Sequence, residues 1–311
     1  MAACCTPARG PSGAPSGAVP PVLPGSGAHH EQVLIGPGSF LMGDAFNEGY
    51  ASDGELPVHR VGLDAFSIDA TAVTNTQFAR FIDATGYRTE AQVYGSSAVF
   101  HLLVNAPARD VLGPVPGAGW WITVRGADWA HPFGANSAAA ELPDHPVVHV
   151  SHNDALAYCA WSGRLLPTEA QWEYAARGGL ESARYAWGDE LLGPGGEHRA
   201  NIWQGTFPTI NTTADGFLGT APVRSFAANG YGLYEMAGNV WEWCGDWFLP
   251  RYYARSGPDN PPGPPFGTGR VMRGGSYLCH DSYCNRYRVA ARSSNTPDSS
   301  SGNCGFRTVA A

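Results

Sequence analysis

Two cysteines, Cys279 and Cys284, lie five positions apart in a stretch that also carries a glycine pair. Gly274 and Gly275 come just ahead of them and allow a tight turn or a close backbone approach. Two thiols at this spacing can form a short-loop disulfide or a redox-active pair, or can bind one soft metal ion together, because thiolate favours Cu(I) and zinc. No Cys-x-x-Cys partner and no His-x₃-His follows, so the pattern gives poor support to a closed zinc site. A two-coordinate Cu(I) site or a redox-active pair fits better.

The composition excludes several classes of function. The 311-residue chain carries a formal net charge of -8 and no Lys/Arg run, so we do not expect nucleic acid as a partner. No apolar run is long enough to cross a bilayer, and no apolar leader stands at the N-terminus. The seven cysteines are scattered along the chain and do not resemble a secreted disulfide framework. We therefore expect a cytoplasmic protein that does not bind membranes.

Capping signals predict three helices at most. The first begins after Thr74, in a capping-box sequence, and ends before Gly86. The second covers Asp154–Trp161, and Asn153 is its predicted N-cap. The third begins after the capping-box residue Thr168 and ends at a glycine pair.

The rest of the sequence predicts short strands and long loops. Residues 32–43 contain two apolar runs around Gly-Pro-Gly and predict a hairpin. Residues 87–145 have no clear period, and the chain after residue 186 is rich in Gly, Trp and Asn. These features, with 40 Gly and 25 Pro, favour a single α+β domain of low regular secondary structure over residues 31–311. Residues 1–30 lack large apolar side chains and predict a disordered arm.

The cysteine stretch resembles a known family. Gly-Gly-Ser-Tyr-Leu-Cys-x₄-Cys-Asn-Arg-Tyr-Arg, followed by Ala-Ala-Arg-Ser-x-Asn-Thr-Pro-Asp-Ser-Ser, is similar to the catalytic end of the formylglycine-generating enzymes, the sulfatase-modifying factors. The resemblance runs from about Val33 to Arg307. It implies the family's fold, related to the C-type lectin scaffold, and a monomer. It also implies oxidation by O₂ of the cysteine in a Cys-x-Pro-x-Arg sulfatase peptide to Cα-formylglycine.

The resemblance implies roles for individual residues. Cys279 and Cys284 would hold the Cu(I) ion, since no flavin, haem or nicotinamide motif supplies a redox centre. Trp241 and Ser276 would line the oxygen pocket. Four matched positions would bind the substrate peptide: Tyr283, Arg288, Ser300 and Asn303. Parts of the 87–145 region would wall the same groove, namely Ser96, Ser97 and the Trp120-Trp121 pair. Arg288 can equally form a structural ion pair, and Cys304 would be a spectator thiol.

Two loop clusters offer oxygen ligands for calcium. Calcium takes about six to eight oxygens, many of them from irregular backbone. The first cluster consists of Asn201, Ile202, Asp215 and Phe217. The second consists of Glu235, Gly238, Val240 and Glu242. Asx residues in glycine-rich loops more commonly complete turns, but the resemblance aligns both clusters with the family's two structural calcium sites.

The N-terminal arm contains one unexpected motif. Cys5-Thr-Pro-Ala-Arg9 has the same Cys-x-Pro-x-Arg form that the resemblance implies for the substrate. A chance match in a Pro-rich tail is one interpretation. A pseudosubstrate or a site of self-modification is the other, and both stay open at this point.

Two other functions also stay open. The first is a non-haem iron sulfoxide synthase on the same scaffold, a class that needs a three-histidine iron site and usually an extra helical domain. The second is a non-catalytic, lectin-like binding module, which would bind ligands without taking up oxygen. Without the family resemblance, Cys279 and Cys284 would be interpreted as buried or disulfide-linked structural cysteines.

Overall fold

Fifteen short strands and four α-helices form the part of the chain that the computed structural model describes, residues 6–9 and 30–311. The helices are α1 (Asn75–Thr85), α2 (Glu90–Tyr94), α3 (His152–Ser162) and α4 (Glu169–Arg177). The strands are β1 (Gln32–Ile35), β2 (Gly38–Met42), β3 (His59–Leu63), β4 (Phe66–Asp69), β5 (Ser96–Phe100), β6 (Val111–Val115), β7 (Ala118–Arg125), β8 (Arg164–Leu165), β9 (Gly205–Thr206), β10 (Ile210–Asn211), β11 (Trp241–Trp247), β12 (Arg270–Arg273), β13 (Arg292–Asn295), β14 (Cys304–Gly305) and β15 (Val309–Ala310). The predicted α+β class is confirmed.

The strands form several small sheets. Two are four-stranded, with orders β1-β4-β15-β8 and β13-β12-β11-β14, and one is three-stranded, with order β5-β7-β6. Strand β11 pairs in parallel with β14, which places Trp241 opposite Cys304. The same sheet therefore positions residues from two distant parts of the sequence beside each other.

The predicted hairpin over residues 32–43 is wrong. Strand β1 pairs antiparallel with β4, and β2 pairs antiparallel with β3, so the two apolar runs lie in different sheets. The Gly-Pro-Gly segment leads the chain from one sheet into the next. Each run finds its pairing partner further along the chain, and a local turn signal cannot reveal that.

Helix capping follows the sequence closely, with one correction. Thr74 Oγ1 accepts from the Gln77 amide, and Gly86 ends α1 in the left-handed conformation, as predicted. Helix α4 likewise starts at its predicted capping box. The predicted N-cap of α3 is wrong, because Ser151 caps that helix through a reciprocal pair of bonds with Asp154.

The limit of three helices is also wrong. Helix α2 is a further short helix, with its own capping box at Thr89. It lies at the start of residues 87–145, where the sequence shows no clear period, and the same region holds the β5-β7-β6 sheet. Strand β7 pairs antiparallel with β5 and with β6, and its pairing with β6 contains register shifts, so the region lacks a regular alternation of apolar and polar residues.

An aromatic core supports the helices. Phe78 and Phe81 of α1 are fully buried and pack against Tyr158 of α3, with ring centroids 5.9 and 5.6 Å apart. Phe306 packs on Tyr158 from the C-terminal end, at 5.3 Å. Within residues 6–9 and 30–311, no helix is long and apolar enough to cross a membrane.

Candidate functional site

Cys279 and Cys284 face each other in the interior. Their Sγ atoms lie 3.4 Å apart, and both residues are almost fully buried. A disulfide bond would need about 2.05 Å. The two residues are therefore not disulfide-bonded to each other here, and their sulfurs lie close enough to act on one bound group.

Glycine backbone geometry brings the two thiols together. Gly275 has a φ of 74°, and a Cβ at this position would lie 2.8 Å from the Arg286 carbonyl oxygen. Only a glycine lets the two ends of the loop approach this closely. Within the loop, the Cys284 amide donates to the His280 carbonyl at 2.7 Å, which fixes the second thiol.

A loop at residues 44–57 holds the cysteine stretch from outside. Asp53 pairs with Arg286 through two hydrogen bonds, and the Arg286 guanidinium Nη1 lies 3.5 Å from Cys284 Sγ. Glu55 pairs with Arg288 through two bonds of 2.8 and 2.9 Å. The sequence analysis treated Arg288 as a substrate contact or an ion-pair partner, and here its guanidinium binds Glu55.

The sequence predicts an acidic loop from Asp44 to Pro57 but not its pairing with the cysteine stretch, although a signal for that pairing exists. Asp53 and Glu55 are two residues apart, as are Arg286 and Arg288, so the spacing of the acids matches that of the arginines. This equal spacing of opposite charges would have predicted that the two segments pair side by side. Burial raises the pKa of Glu55, and the ion pair with Arg288 opposes that rise.

Ser276 lies beside the Cys279 thiol, and Trp241 belongs to the same buried core cluster. Trp241 is fully buried in the same core cluster as Cys279 and Cys284. Among the described residues, its indole N–H has no hydrogen-bond partner. Ser276 Oγ accepts from Asn303 Nδ2 at 2.9 Å, and the Ser276 amide lies 3.4 Å from Cys279 Sγ. A buried donor without a described partner, in the core cluster that holds the thiol pair, can bind a small oxygen-containing molecule.

Aromatic side chains form a wall near the cysteines. Tyr283 stacks on Phe207 with ring centroids 3.9 Å apart, and its hydroxyl donates to the Leu278 carbonyl. Trp120 meets the edge of Tyr283 at 6.0 Å. The structure thus brings Tyr283 and Trp120 together, as expected if both side chains line one wall of the substrate groove.

A polar groove lies between the β5 region and the segment after β13. It is lined by Ser96, Asn295, Ser299 and Ser300. Ser300 Oγ is 2.9 Å from Ser97 Oγ, which in turn is 2.8 Å from His149 Nδ1. Burial lowers the pKa of His149 to about 4, so its ring is neutral at pH 7. Neither His149 nor the groove residues Asn295 and Ser299 were singled out by the sequence analysis, which has no signal linking His149 to them.

Thr6–Arg9 lie along this polar groove. Thr6 is 2% exposed, and Arg9 reaches Ser96, Ser299 and Ser300. The rest of the predicted disordered arm, including Cys5, lies outside the described residues.

Comparison with known proteins identifies the family. A family model described as the sulfatase-modifying factor enzyme 1-like domain matches residues 22–311. The chain belongs to this family. It is 66% identical to the formylglycine-generating enzyme of Streptomyces coelicolor over 276 residues, 89% of this chain and 88% of that protein. It is 57% identical to the formylglycine-generating enzyme of Thermomonospora curvata over 282 residues, 89% of this chain and 92% of that protein.

A solved structure supports the fold of this family member. The structure of PvdO from Pseudomonas aeruginosa matches with a TM-score of 0.65 and 24% sequence identity. The match covers 90% of this chain and 94% of that chain. At this identity the likeness concerns the fold alone.

The first calcium cluster suits a hard cation. Asn201 is 1% exposed, and among the described residues its Oδ1 has no hydrogen-bond partner. The Asp215 carboxylate accepts from the Ile202 and Phe217 amides at 3.1 Å each, which brings all four predicted residues together. Burial raises the pKa of Asp215. A cation bound to these oxygens would stabilise both the orphaned amide oxygen and the buried carboxylate.

The second calcium cluster suits a cation less well. The Glu242 carboxylate accepts from Arg307 at 2.7 and 2.8 Å and from the Trp172 indole at 2.8 Å. Glu235 accepts from the amides of Arg224 and Phe226. Gly238 and Val240 lie between them in the chain. With both carboxylates engaged in this way, the structure gives the second calcium cluster less support than the first, and the site stays a prediction.

Proposed function

We propose that this family member is a copper-dependent formylglycine-generating oxidase. Its substrate would be the cysteine of a Cys-x-Pro-x-Arg sulfatase peptide, its oxidant O₂, and its product Cα-formylglycine. The observation that carries the proposal is the pair of buried cysteines, Cys279 and Cys284, with sulfurs 3.4 Å apart. The relatives named formylglycine-generating enzymes support the reaction.

The donor set suits Cu(I). Two thiolates are soft ligands that favour Cu(I), and the buried site restricts access to water and competing ligands. Within the described part of the chain, no group of three or more His, Cys, Asp or Glu side chains could form a harder metal cage. When bound, Cu(I) would supply the one-electron chemistry with O₂ that protein side chains lack.

Residues around the thiols have defined tasks in this proposal. Arg286 places a positive charge 3.5 Å from Cys284 Sγ, which favours the thiolate that a metal requires. The free indole N–H of Trp241 would donate to oxygen, and Ser276, held by Asn303, would present its hydroxyl to the same space. Tyr283 and Trp120 would exclude water at the aromatic wall.

The polar groove would bind the substrate in extended form. Hydroxyl and amide side chains can accept from and donate to a peptide main chain, as extended-peptide recognition requires. Ser300 belongs to this groove, whereas the Arg288 guanidinium is held by Glu55 and would act by positioning the cysteine stretch. The first calcium cluster would hold a structural Ca²⁺ ion.

Copper binding and oxygen uptake test the proposal together. In a competition titration with a chromophoric Cu(I) chelator, the protein should bind one Cu(I), and Cys279→Ser and Cys284→Ser should each lose that binding. Cys304→Ser is the matched control, because Cys304 is equally buried and bonds Ser301 instead of the thiol pair. Oxygen uptake should begin when the peptide is added to the copper-loaded protein.

The same experiment separates the alternatives. A lectin-like binding module would bind the peptide without oxygen uptake, and Cys279→Ser would leave peptide binding unchanged. An iron sulfoxide synthase would retain iron and keep its activity in both cysteine variants. Copper binding that survives Cys279→Ser would contradict the proposal.

A further inference from the structure

The N-terminal segment Thr6–Arg9 is bound to the polar groove through its main chain at one end. Asn295 Nδ2 lies 3.2 Å from the Pro7 carbonyl oxygen and 3.4 Å from the Thr6 carbonyl oxygen. The same amide is 3.2 Å from Thr6 Oγ1, which also lies 3.8 Å from Met272 Sδ in strand β12. A side-chain amide directed at consecutive carbonyls recognises an extended peptide through its backbone.

Arg9 is bound at the other end by several independent contacts. Its amide donates to Ser299 Oγ at 2.8 Å, and its guanidinium donates to the Ser96 carbonyl at 3.1 Å. The guanidinium also lies 3.4 Å from Ser300 Oγ and sits over the Tyr94 ring, 3.9 Å from the centroid. An arginine held by a carbonyl, a hydroxyl and an aromatic face is recognised as an arginine, because lysine lacks the planar fork that reaches all three.

The charge of the groove also suits an arginine. Burial lowers the pKa of Arg9, and the nearby acidic side chains of Asp298 and Glu90 oppose that shift. The acidic groups thus offset part of the cost of burying a guanidinium. This end of the groove is complementary in charge to the last residue of the segment.

We propose that Thr6–Arg9 is a tethered occupant of the polar groove, which competes with substrate peptides within the same molecule. The segment supplies the x-Pro-x-Arg part of Cys5-Thr-Pro-Ala-Arg9, the form proposed above for the substrate, so the competition rests on the proposed function. The contacts of Thr6 and Arg9 span the whole described segment. If the motif matched the substrate form by chance, there would be no reason for its proline and arginine to lie in this groove.

The length of the chain permits the tether. Residues 10–29 connect Arg9 to His30, and at about 3.3 Å per residue they can span roughly 65 Å. A domain of this size is roughly 50 Å across, so the connection can reach most of its surface. A tether of such length gives an effective concentration on the order of mM, enough to compete with a free peptide.

The occupant can be displaced. Ala8 is exposed, and a cavity of about 250 Å³ lies beside the segment, lined by Arg9 on one side and by Thr123 and Ser300 on the other. The segment therefore leaves part of the groove open. An external peptide can enter from this side and replace Arg9.

Peptide binding to the full-length, metal-free protein tests the inference without catalysis. The probe is a fluorescein-labelled Ser-Thr-Pro-Ala-Arg peptide, in which serine replaces the reactive cysteine, and the readout is fluorescence anisotropy. Arg9→Ala should lower the Kd of the probe by about tenfold, because the mM effective concentration of the natural occupant is removed. Arg109→Ala is the matched control, since this arginine has an 83% exposed side chain outside the groove, and should leave the Kd unchanged.

Each outcome of the anisotropy measurement either supports or overturns the tethered occupant. Equal Kd values for the wild type and Arg9→Ala would overturn the tethered occupant and leave the proposed function standing, provided that the copper and oxygen measurements hold. A Kd that depends on protein concentration would place the occupant on a second copy and overturn the tether. Absence of probe binding to both proteins would contradict the inference and also the proposed substrate motif. A lower Kd in Arg9→Ala alone supports the tether.

With a peptide substrate, the same variant should lower KM and leave kcat unchanged. Loss of a competitor changes only the fraction of molecules that are open to substrate. A purely structural role of Arg9 would instead lower kcat or the melting temperature. That result would also overturn the inference.

Discussion

Cys279, Cys284 and Cys304 share one buried cluster with Cys159, but the surroundings of these thiols differ. Burial raises the pKa of Cys304 to about 12, so this thiol stays protonated at neutral pH and is a poor metal ligand. Cys284 lies 3.5 Å from the Arg286 guanidinium, whose charge favours a thiolate. At the scale of single residues, charge and distance separate the proposed ligands from the spectator.

Arg286 gives the first prediction. Arg286→Met should weaken Cu(I) binding about tenfold, because the change removes a positive charge 3.5 Å from Cys284 Sγ that favours the metal-binding thiolate. Arg286→Lys keeps the charge and should bind Cu(I) within a few-fold of the wild type. Chelator competition at pH 7 measures both values. Equal weakening of Cu(I) binding in the two variants would show that the positive charge at residue 286 does not favour metal binding.

His149 gives a prediction about pH. Burial lowers its pKa to about 4, from the usual 6.5, so the folded protein binds this proton less readily than the unfolded chain. The contribution of neutral His149 to the free energy of unfolding is therefore intact above pH 6.5. It is lost as the pH falls toward 4, by about 3 kcal/mol at most.

The measurement compares His149→Gln with the wild type by chemical denaturation between pH 7 and 4. Asp154 and Asp246, whose pKa values burial raises to about 7, stabilise the fold as the pH falls in both proteins. The difference between the two curves isolates His149. The difference in the free energy of unfolding should shrink toward low pH. A difference that stays constant would contradict the lowered pKa of His149.

At the scale of elements, the loop at residues 44–57 clamps the cysteine stretch. Glu55→Gln would leave the Arg288 charge buried with weaker compensation, since both side chains are at most 3% exposed. We expect a loss of about 3–5 kcal/mol in the free energy of unfolding.

The pair Glu48–Arg184 is the control, because it is also a Glu–Arg pair but with side chains 34% and 26% exposed. Glu48→Gln should cost about 1 kcal/mol or less. Urea denaturation compares the two variants. Equal losses would mean that burial of the Glu55–Arg288 pair has no special role.

Local signals account for what the sequence predicted at this scale. Helices α1 and α4 were predicted because Thr74 and Thr168 cap them through neighbours three residues away. The hairpin failed because the partners of β1 and β2 are β4 and β3, which a turn motif does not encode. Short-range hydrogen bonds are visible in sequence, whereas the pairing of distant strands depends on the whole fold.

At the scale of the molecule, the candidate site joins segments that are far apart in sequence. Asp53 meets Arg286, and Ser97 meets Ser300, across more than two hundred residues. The sequence located Cys279 and Cys284 because the glycine pair and the family motif surround them. It did not single out Asn295, although Asn295 lies in the family motif that also contains the predicted groove residue Ser300, and it could not locate His149, which reaches Ser97 only through the fold.

Calcium gives a prediction for the whole molecule. If the first cluster binds Ca²⁺, a concentration about 100 times the Kd should stabilise the fold by about 2.7 kcal/mol and raise the melting temperature. Asp215→Asn should abolish this rise. Asp64→Asn, which alters an exposed carboxylate elsewhere, is the control and should keep it. A calcium-dependent rise that persists in Asp215→Asn would place the ion at another site.

The most direct test of the central claim is the product itself. A Cys-Thr-Pro-Ser-Arg peptide, incubated with the protein, Cu(I), a thiol reductant and air, would be analysed by mass spectrometry beside the Cys279→Ser, Cys284→Ser and Cys304→Ser variants. We predict a product whose mass is lower by the change from thiol to aldehyde, formed by the wild type and Cys304→Ser and absent from the other two. Unchanged peptide with the copper-loaded wild type, or equal product from Cys279→Ser, would contradict the account.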